Sequence, residues 1–462
     1  MLILIILIVG LATHFYHFGF PTSVVFDEVF YGNFLSYYWH GTYFFDQHPP
    51  FFKLFEAFWG YITGANDYTA NWDYIGNVLP DAVIYLRLIP MIAGILLPIV
   101  LYFLCQKIGI TKISSFVTAI LIALENSLIV QSRYILPDIL MLLTGFASLL
   151  LYFQYHEAKN TRYKNWILIG SIFSASITLS IKWTGATFLF LIILLEFYRL
   201  YKQGVNKTAT KKFLIFVSKY FSIAIVVYLT LFAIHFHSLP FSGKGDVFMT
   251  ERFQKTLIGN QFFDSTETGE IGFIGKFTEL NKVMFTANSG MTATHPNSSK
   301  WYTWPFMHRT IFYWQGETTP LSSEKSYIYL LGNPFVYWLG TLSVVAFILI
   351  SIFKLTNKRS LSGDPKISNI TLLIIIGYLA NLLPFALIGR VMFLYHYEIA
   401  LIFSVISIAL LLDYLKPKTK MIVAGIIIFI AFSAFIYWSP LTYGIPLTDQ
   451  QLQSRMWLKS WR

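Results

Sequence analysis

Eleven apolar stretches, most of them close to the length of a bilayer crossing, leave this chain little choice of architecture. They run approximately over 1–18, 80–104, 114–131, 134–155, 166–181, 183–199, 213–235, 334–353, 369–389, 393–412 and 421–438. A helix needs roughly 20 apolar residues to cross the hydrocarbon core. The rest of the composition agrees: 56% of the 462 residues are hydrophobic and 18% aromatic, while only 12% are charged. That is about half the charged share of a soluble domain. The fold class expected is an all-α, polytopic membrane protein of one domain over 1–462, with a first outer loop (19–79), a large second outer loop (236–333) and a C-terminal four-span part (334–462).

Basic residues orient the bundle, because Lys and Arg are retained on the cytoplasmic side. Lys107 and Lys112 occupy one short loop, and Lys159, Arg162 and Lys164 another. Arg199, Lys202, Lys207, Lys211 and Lys212 follow, then Lys354, Lys358, Arg359 and Lys366, then Lys416, Lys418 and Lys420. All five loops share one face if the N-terminus is cytoplasmic and the C-terminus extracytoplasmic. The net charge of +11 is then a topology and anionic-lipid signal. Nucleic acid is not an expected partner, since the basic clusters sit in loops without a nucleic-acid-binding motif. Cys105 is the one cysteine, so neither an internal disulfide nor a cysteine zinc site is available. Residues 1–13 lack a basic leader and a small-residue cleavage site, and read as the first span rather than a signal peptide.

Polar chemistry gathers at the outer ends of these spans. Asp27 and Glu28 follow the first span at once, and Asp46, His48 and Lys53 come about twenty residues later among aromatics. Carboxylates this close to lipid are costly unless hydrated, paired or used; a wet loop and a functional site both satisfy that rule. Pro49 and Pro50 can open a helix whose Phe51, Phe52, Leu54, Phe55, Phe58, Trp59 and Ile62 suit the membrane interface. Arg87, early in the second span, either snorkels to headgroups or holds an anion with its fork of donors.

Four motifs follow in order. Ser132-Arg133-Tyr134-Ile135-Leu136-Pro137-Asp138 lies between the third and fourth spans, where an Arg133–Asp138 ion pair would close a tight loop. Lys182-Trp183 lies between the fifth and sixth. The second outer loop holds Thr294-His295-Pro296-Asn297-Ser298-Ser299-Lys300-Trp301-Tyr302-Thr303-Trp304-Pro305, and past the ninth span comes Arg390-Val391-Met392-Phe393-Leu394-Tyr395-His396-Tyr397.

Together with FDEVFYGNFLSYYWHGTYFFDQHPPFFKL in the first loop, these motifs resemble the protein O-mannosyltransferases, glycosyltransferase family 39 of the GT-C class. The resemblance runs from the first loop to the last residue. Three departures stand out: Phe30 replaces the family's usual His, His14 stands where an Arg is common, and the MIR domain that eukaryotic members insert between spans seven and eight is missing. The last departure points to the cell membrane of a prokaryote.

The resemblance implies transfer of mannose, with inversion, from a polyprenyl-phosphate-mannose donor to Ser or Thr hydroxyls of secreted or membrane proteins outside the cytoplasm. Inversion needs one base for the attacking hydroxyl, which the resemblance assigns to the Asp27-Glu28 pair without choosing between them. Arg87, Arg390, His396 and Lys182 are the expected contacts of the donor phosphate, where cationic clamps are a large catalytic term. His48, Asp46, His295, Trp301 and Trp304 are the expected substrate contacts. The family implies no cofactor and no metal, although two adjacent carboxylates would also suit a metal ion. The alternatives are transfer of another lipid-linked sugar, transfer to a lipid acceptor, and a transporter. A transporter would carry broken helices with charges at mid-membrane, whereas these charges sit near the outer ends.

Overall fold

A computed structural model describes residues 1–266, 269, 271–290, 294–316, 324–356 and 365–462, with side chains undescribed at 354–356 and 365–369. Lys358 and Arg359 of the basic-loop reading therefore lie outside the described residues, as do the side chains of Lys354 and Lys366.

Helix α1 (Leu2–Phe15) leads to the first outer loop, which folds into α2 (Glu28–His40) and α3 (Phe51–Thr63). Each of these two ends on a glycine in the left-handed region, Gly41 (φ 67°) and Gly64 (φ 71°), the conformation that closes a helix without a Cβ clash. A 3₁₀ stretch, Asp81–Arg87, feeds α4 (Leu88–Ile108), and then come α5 (Lys112–Ala123), α6 (Asn126–Ser132), α7 (Asp138–Glu157), α8 (Thr161–Ile181), α9 (Ala186–Lys202) and α10 (Lys207–Ser238). The second outer loop contains the short α11 (Glu251–Gln254), α12 (Phe273–Gly290) and an antiparallel hairpin of β1 (Ile311–Gln315) and β2 (Tyr327–Leu330). The C-terminal part comprises α13 (Pro334–Thr356), α14 (Pro365–Ala380), α15 (Glu398–Asp413), α16 (Pro417–Tyr443) and α17 (Asp449–Arg455).

Nine helices among the described residues are long and apolar enough to cross a membrane. The pair α5 and α6, bent by 59°, makes a tenth crossing if taken as one span. The eleventh expected span is shorter than the sequence suggested. Helix α1 has 14 residues, about 21 Å of rise at 1.5 Å per residue, and the chain leaves it through His17 at φ 51°. The bend lies where Glu125 accepts the Ser127 N–H at 3.1 Å and starts a new helix.

The protein is a multi-pass membrane protein. Only 17% of the most apolar stretch of α10 is buried, and 22% of that of α16. Faces so apolar are covered by lipid at little cost and by water at a large one. Helix α15 is the opposite case: 83% of its apolar stretch is buried, against α5, α13 and α14. One hydrophobic cluster runs from Val24 to Trp461 and joins loops and bundle. The all-α expectation holds for the bundle, and the small hairpin is an addition to it. The C-terminal tail is part of the packing: Trp461 is fully buried and donates through Nε1 to the Met307 carbonyl at 2.7 Å.

Candidate active site

The turn from Val24 to Glu28 is built by long-range contacts. Glu28, the first residue of α2, has both oxygens fully used. Oε1 accepts from Arg87 Nε at 2.8 Å and from the Ile135 N–H at 3.0 Å; Oε2 accepts from Arg87 Nη2 at 2.7 Å and from the Val25 N–H at 3.0 Å. Arg87 spends its other three N–H groups on the carbonyls of Gly19 (3.1 Å), Pro21 (2.6 Å) and Ser23 (2.8 Å). A guanidinium has five donors and a carboxylate about four acceptor sites, so the pair is saturated. It is also sealed, with 1% of Arg87 and none of Glu28 exposed.

A cavity of about 240 Å³ opens nearby. Five elements supply its polar wall: Gln47 and His48 from the first loop, Asp138 from α7, Lys182 from the turn after α8, Asn288, Thr294 and His295 from the second loop, and Asn381, Arg390, Tyr395 and His396 from the segment joining α14 to α15. Lys182 is presented by a tight turn. A Cβ on Gly185 would lie 2.4 Å from the Thr178 carbonyl oxygen, so the turn closes against α8 because that position has none. Lys182 Nζ donates to Asp138 Oδ1 and Oδ2 at 2.7 and 2.8 Å and sits 5.1 Å over the Tyr395 ring. An ammonium has three donors, and among the described residues one is unspent. Arg390 Nη1 donates to Gln47 Oε1 at 3.1 Å, and Asn288 Nδ2 to the Gln47 carbonyl at 2.8 Å. The imidazole of His396 stacks on Trp304 (5.8 Å, 13°), which is fully buried behind it.

Asp27 is half-buried beside this cavity and, among the described residues, its carboxylate has no hydrogen-bond partner. Its pKa is raised to about 7: removal from water is the largest cause, Lys182 acts against it, and the charges of Asp138 and Asp46 add to it. Phe26, the preceding residue, has φ 47°, a left-handed conformation that costs a residue with a Cβ roughly 1–2 kcal/mol. The His48 imidazole is pushed well below its ordinary range, first by burial and then by Lys182, Lys53, Arg390 and His396, and is neutral at pH 7. Asp46 forms an ion pair with the buried Lys53, which also donates to the carbonyls of His48 (2.9 Å) and Pro49 (3.2 Å).

Comparison with known proteins places this architecture. The family model for dolichyl-phosphate-mannose-protein mannosyltransferase matches residues 4–240, more than half of the chain, and that for the C-terminal four-span region of protein O-mannosyltransferases matches residues 273–461. The chain belongs to the protein O-mannosyltransferase family. It is 33% identical over 267 residues to Protein O-mannosyl-transferase 1 of Danio rerio, covering 56% of this chain and 37% of that protein. It is 31% identical over 270 residues to Dolichyl-phosphate-mannose–protein mannosyltransferase 4 of Candida albicans, covering 55% and 35%. The matched part thus spans little more than a third of the length of these relatives. The fold is that of the S. cerevisiae protein O-mannosyltransferase Pmt1-Pmt2 complex bound to the sugar donor, with a TM-score of 0.91 at 20% identity over 100% of this chain and 92% of that one. A more distant likeness joins it to the Archaeoglobus fulgidus oligosaccharyltransferase, with a TM-score of 0.55 at 13% identity, covering 96% and 55%.

Within this family fold the expected site residues separate into two groups. Lys182, Arg390, His396, His48 and His295 line the cavity, and Asp27 lies within electrostatic reach of it. Five others have different places. Arg87, expected on the donor phosphate, has no N–H left for one, and Glu28, expected as a candidate base, has no lone pair left for a proton or a metal. Of the two adjacent acids, Glu28 has both oxygens committed to Arg87 and to backbone N–H groups. Asp46 is held by Lys53, Trp304 backs His396 rather than facing the cavity, and half-buried Trp301 packs against Tyr302 (5.8 Å) outside the lining. The expected Arg133–Asp138 pair is absent among the described residues. Arg133 Nη1 donates to the carbonyls of His14 (3.2 Å) and Tyr16 (2.7 Å), and Asp138 pairs with Lys182. Gln47, Asp138, Asn288, Asn381 and Tyr395 also line the cavity; Gln47, Asp138 and Tyr395 lie inside the quoted motifs. Asn288 and Asn381 sit in helical or turn sequence with no motif to mark them.

Proposed function

We propose that this protein transfers mannose from polyprenyl-phosphate-mannose to Ser or Thr hydroxyls of secreted or membrane proteins, at the extracytoplasmic face of a prokaryotic cell membrane. The observation that carries the reading is the convergence of Lys182, Arg390 and His396 on one cavity beside an unpartnered Asp27. In this reading Asp27 takes the proton of the acceptor hydroxyl as its oxygen bonds to the anomeric carbon. The bond from that carbon to the phosphate oxygen breaks on the opposite face, which inverts the centre, and the polyprenyl phosphate leaves. A base whose pKa lies near the working pH suits this task. Lys182 and Arg390 offset the charge gathering on the leaving phosphate, with His396 as a further donor, and such fixed charges act most strongly where water is excluded.

Asp138 holds the Lys182 ammonium in place at the cavity wall. His48, neutral, together with His295, Asn288 and Asn381, offers hydrogen bonds to sugar hydroxyls. Neutralisation in this scheme comes from side chains, with neither metal nor cofactor taking part. The basic loops orient the bundle with the N-terminus cytoplasmic and the cavity and C-terminus outside.

The test is incubation of the purified protein with labelled polyprenyl-phosphate-mannose and Ser/Thr-rich peptides. Label in the peptide, removed by alkaline β-elimination, supports the reading. Label appearing only in a lipid product would overturn the acceptor class.

A further inference from the structure

The left-handed backbone at Phe26 (φ 47°) is not explained by its neighbours in sequence. It is held from the hairpin of the second outer loop. The Phe26 ring stacks on Tyr313 with centroids 4.0 Å apart and planes 9° from parallel, and the Phe26 N–H donates to the Tyr313 carbonyl at 3.2 Å. Tyr313 is itself immobilised. It is fully buried on β1, and its hydroxyl donates to Gln131 Oε1 on α6 at 3.3 Å. A few residues past Gln131 the same segment supplies the Ile135 N–H that binds Glu28. Asp27 thus lies between two clamps: Glu28 is fixed by Arg87 on one side and Phe26 by Tyr313 on the other.

We propose that Tyr313 and Phe26 are a positioning pair that aims the Asp27 carboxylate at the acceptor hydroxyl; this rests on Asp27 being the base. A residue with a Cβ populates positive φ rarely, so loss of the stack lets Phe26 relax to negative φ. That rotates the next peptide and swings Asp27 away. The hairpin residue therefore sets the rate of transfer without touching the substrate.

The experiment measures mannose transfer and donor affinity in folded, purified variants. Phe26→Leu and Tyr313→Leu each remove the stack from one side, and either alone carries the test if the other does not fold. The expected result is a loss of about 10²-fold in kcat, the scale of an ångström-sized misplacement, with donor Kd unchanged. Tyr313→Phe, which keeps the stack and the backbone bond, should restore most of the rate. Adding Phe26→Gly to Tyr313→Leu separates positioning from packing. Glycine adopts positive φ freely, so positioning predicts a faster double variant, whereas a packing role predicts a slower one. Asp27→Asn in the same assay distinguishes the two levels of the argument. If it retains normal turnover, the base assignment fails. If it is inactive while Phe26→Leu and Tyr313→Leu keep wild-type kcat, the positioning pair alone is overturned.

Discussion

Two buried ion pairs flank the candidate site, and they differ in what they leave unspent. Arg87 and Glu28 use every donor and acceptor on each other and on the backbone of two segments, 19–25 and the turn at Ile135. Lys182 and Asp138 use two of the ammonium's three donors, line a cavity, and keep side-chain exposures of 11% and 8%. The first pair locks the first outer loop onto the 3₁₀ stretch before α4 and the turn between α6 and α7. The second is a charge held in readiness. Burial and charge alone do not separate a structural pair from a functional one, but the count of remaining hydrogen-bond valences does.

The largest contrast comes from deleting one partner of the locked pair. Arg87→Ala leaves Glu28 buried and uncompensated, which costs about 3–5 kcal/mol. Thermal unfolding in detergent should show a markedly less stable protein, and any folded remainder should bind the donor normally. A stable variant with weak donor binding would move Arg87 back to the phosphate. Lys182→Met with Asp138→Asn should give the reverse pattern. Stability changes little, while donor affinity falls by about 1.5–3 kcal/mol, about 10- to 100-fold; titration with labelled donor measures it.

A smaller, graded effect comes from acid. Asp27 must be deprotonated to act, and its pKa is raised to about 7. kcat/KM should therefore rise with pH through that region and fall about tenfold per unit well below it. Because His48 is held neutral, it adds no second limb near pH 7. A profile flat from pH 5 to 8 would contradict the assignment. The smallest effect expected is that of a chelator: turnover in excess EDTA should match that without it.

How much of this was legible in the sequence follows from how local each feature is. Spans are local, since about 20 consecutive residues decide them, and most fell within a few residues of their helices. Helix α1 and the α5–α6 break were harder, because their ends are set by His17 and by the Glu125 cap rather than by loss of hydrophobicity. Ion-pair partners are not local. Arg87 finds Glu28 59 residues away, and Lys182 finds Asp138 44 residues away. The Leu-Arg-Leu setting of Arg87 is the same whether the guanidinium faces a phosphate or a carboxylate. The hairpin is hidden in the sequence for a related reason: on β1, Ile311, Tyr313 and Trp314 are buried and Phe312 exposed, with a bulge that breaks the strand period.

The central claim is that two adjacent acids have opposite jobs, and one paired assay tests it: mannose transfer to a Ser/Thr peptide by Asp27→Asn and Glu28→Gln, each with its unfolding temperature and donor affinity. Asp27→Asn should fold and bind donor like the wild type while turnover falls about 10²- to 10⁴-fold, the usual contribution of a positioned base. Glu28→Gln should lose stability first, with its activity loss tracking the unfolded fraction. The account is contradicted if Asp27→Asn turns over near the wild-type rate while a stably folded Glu28→Gln does not.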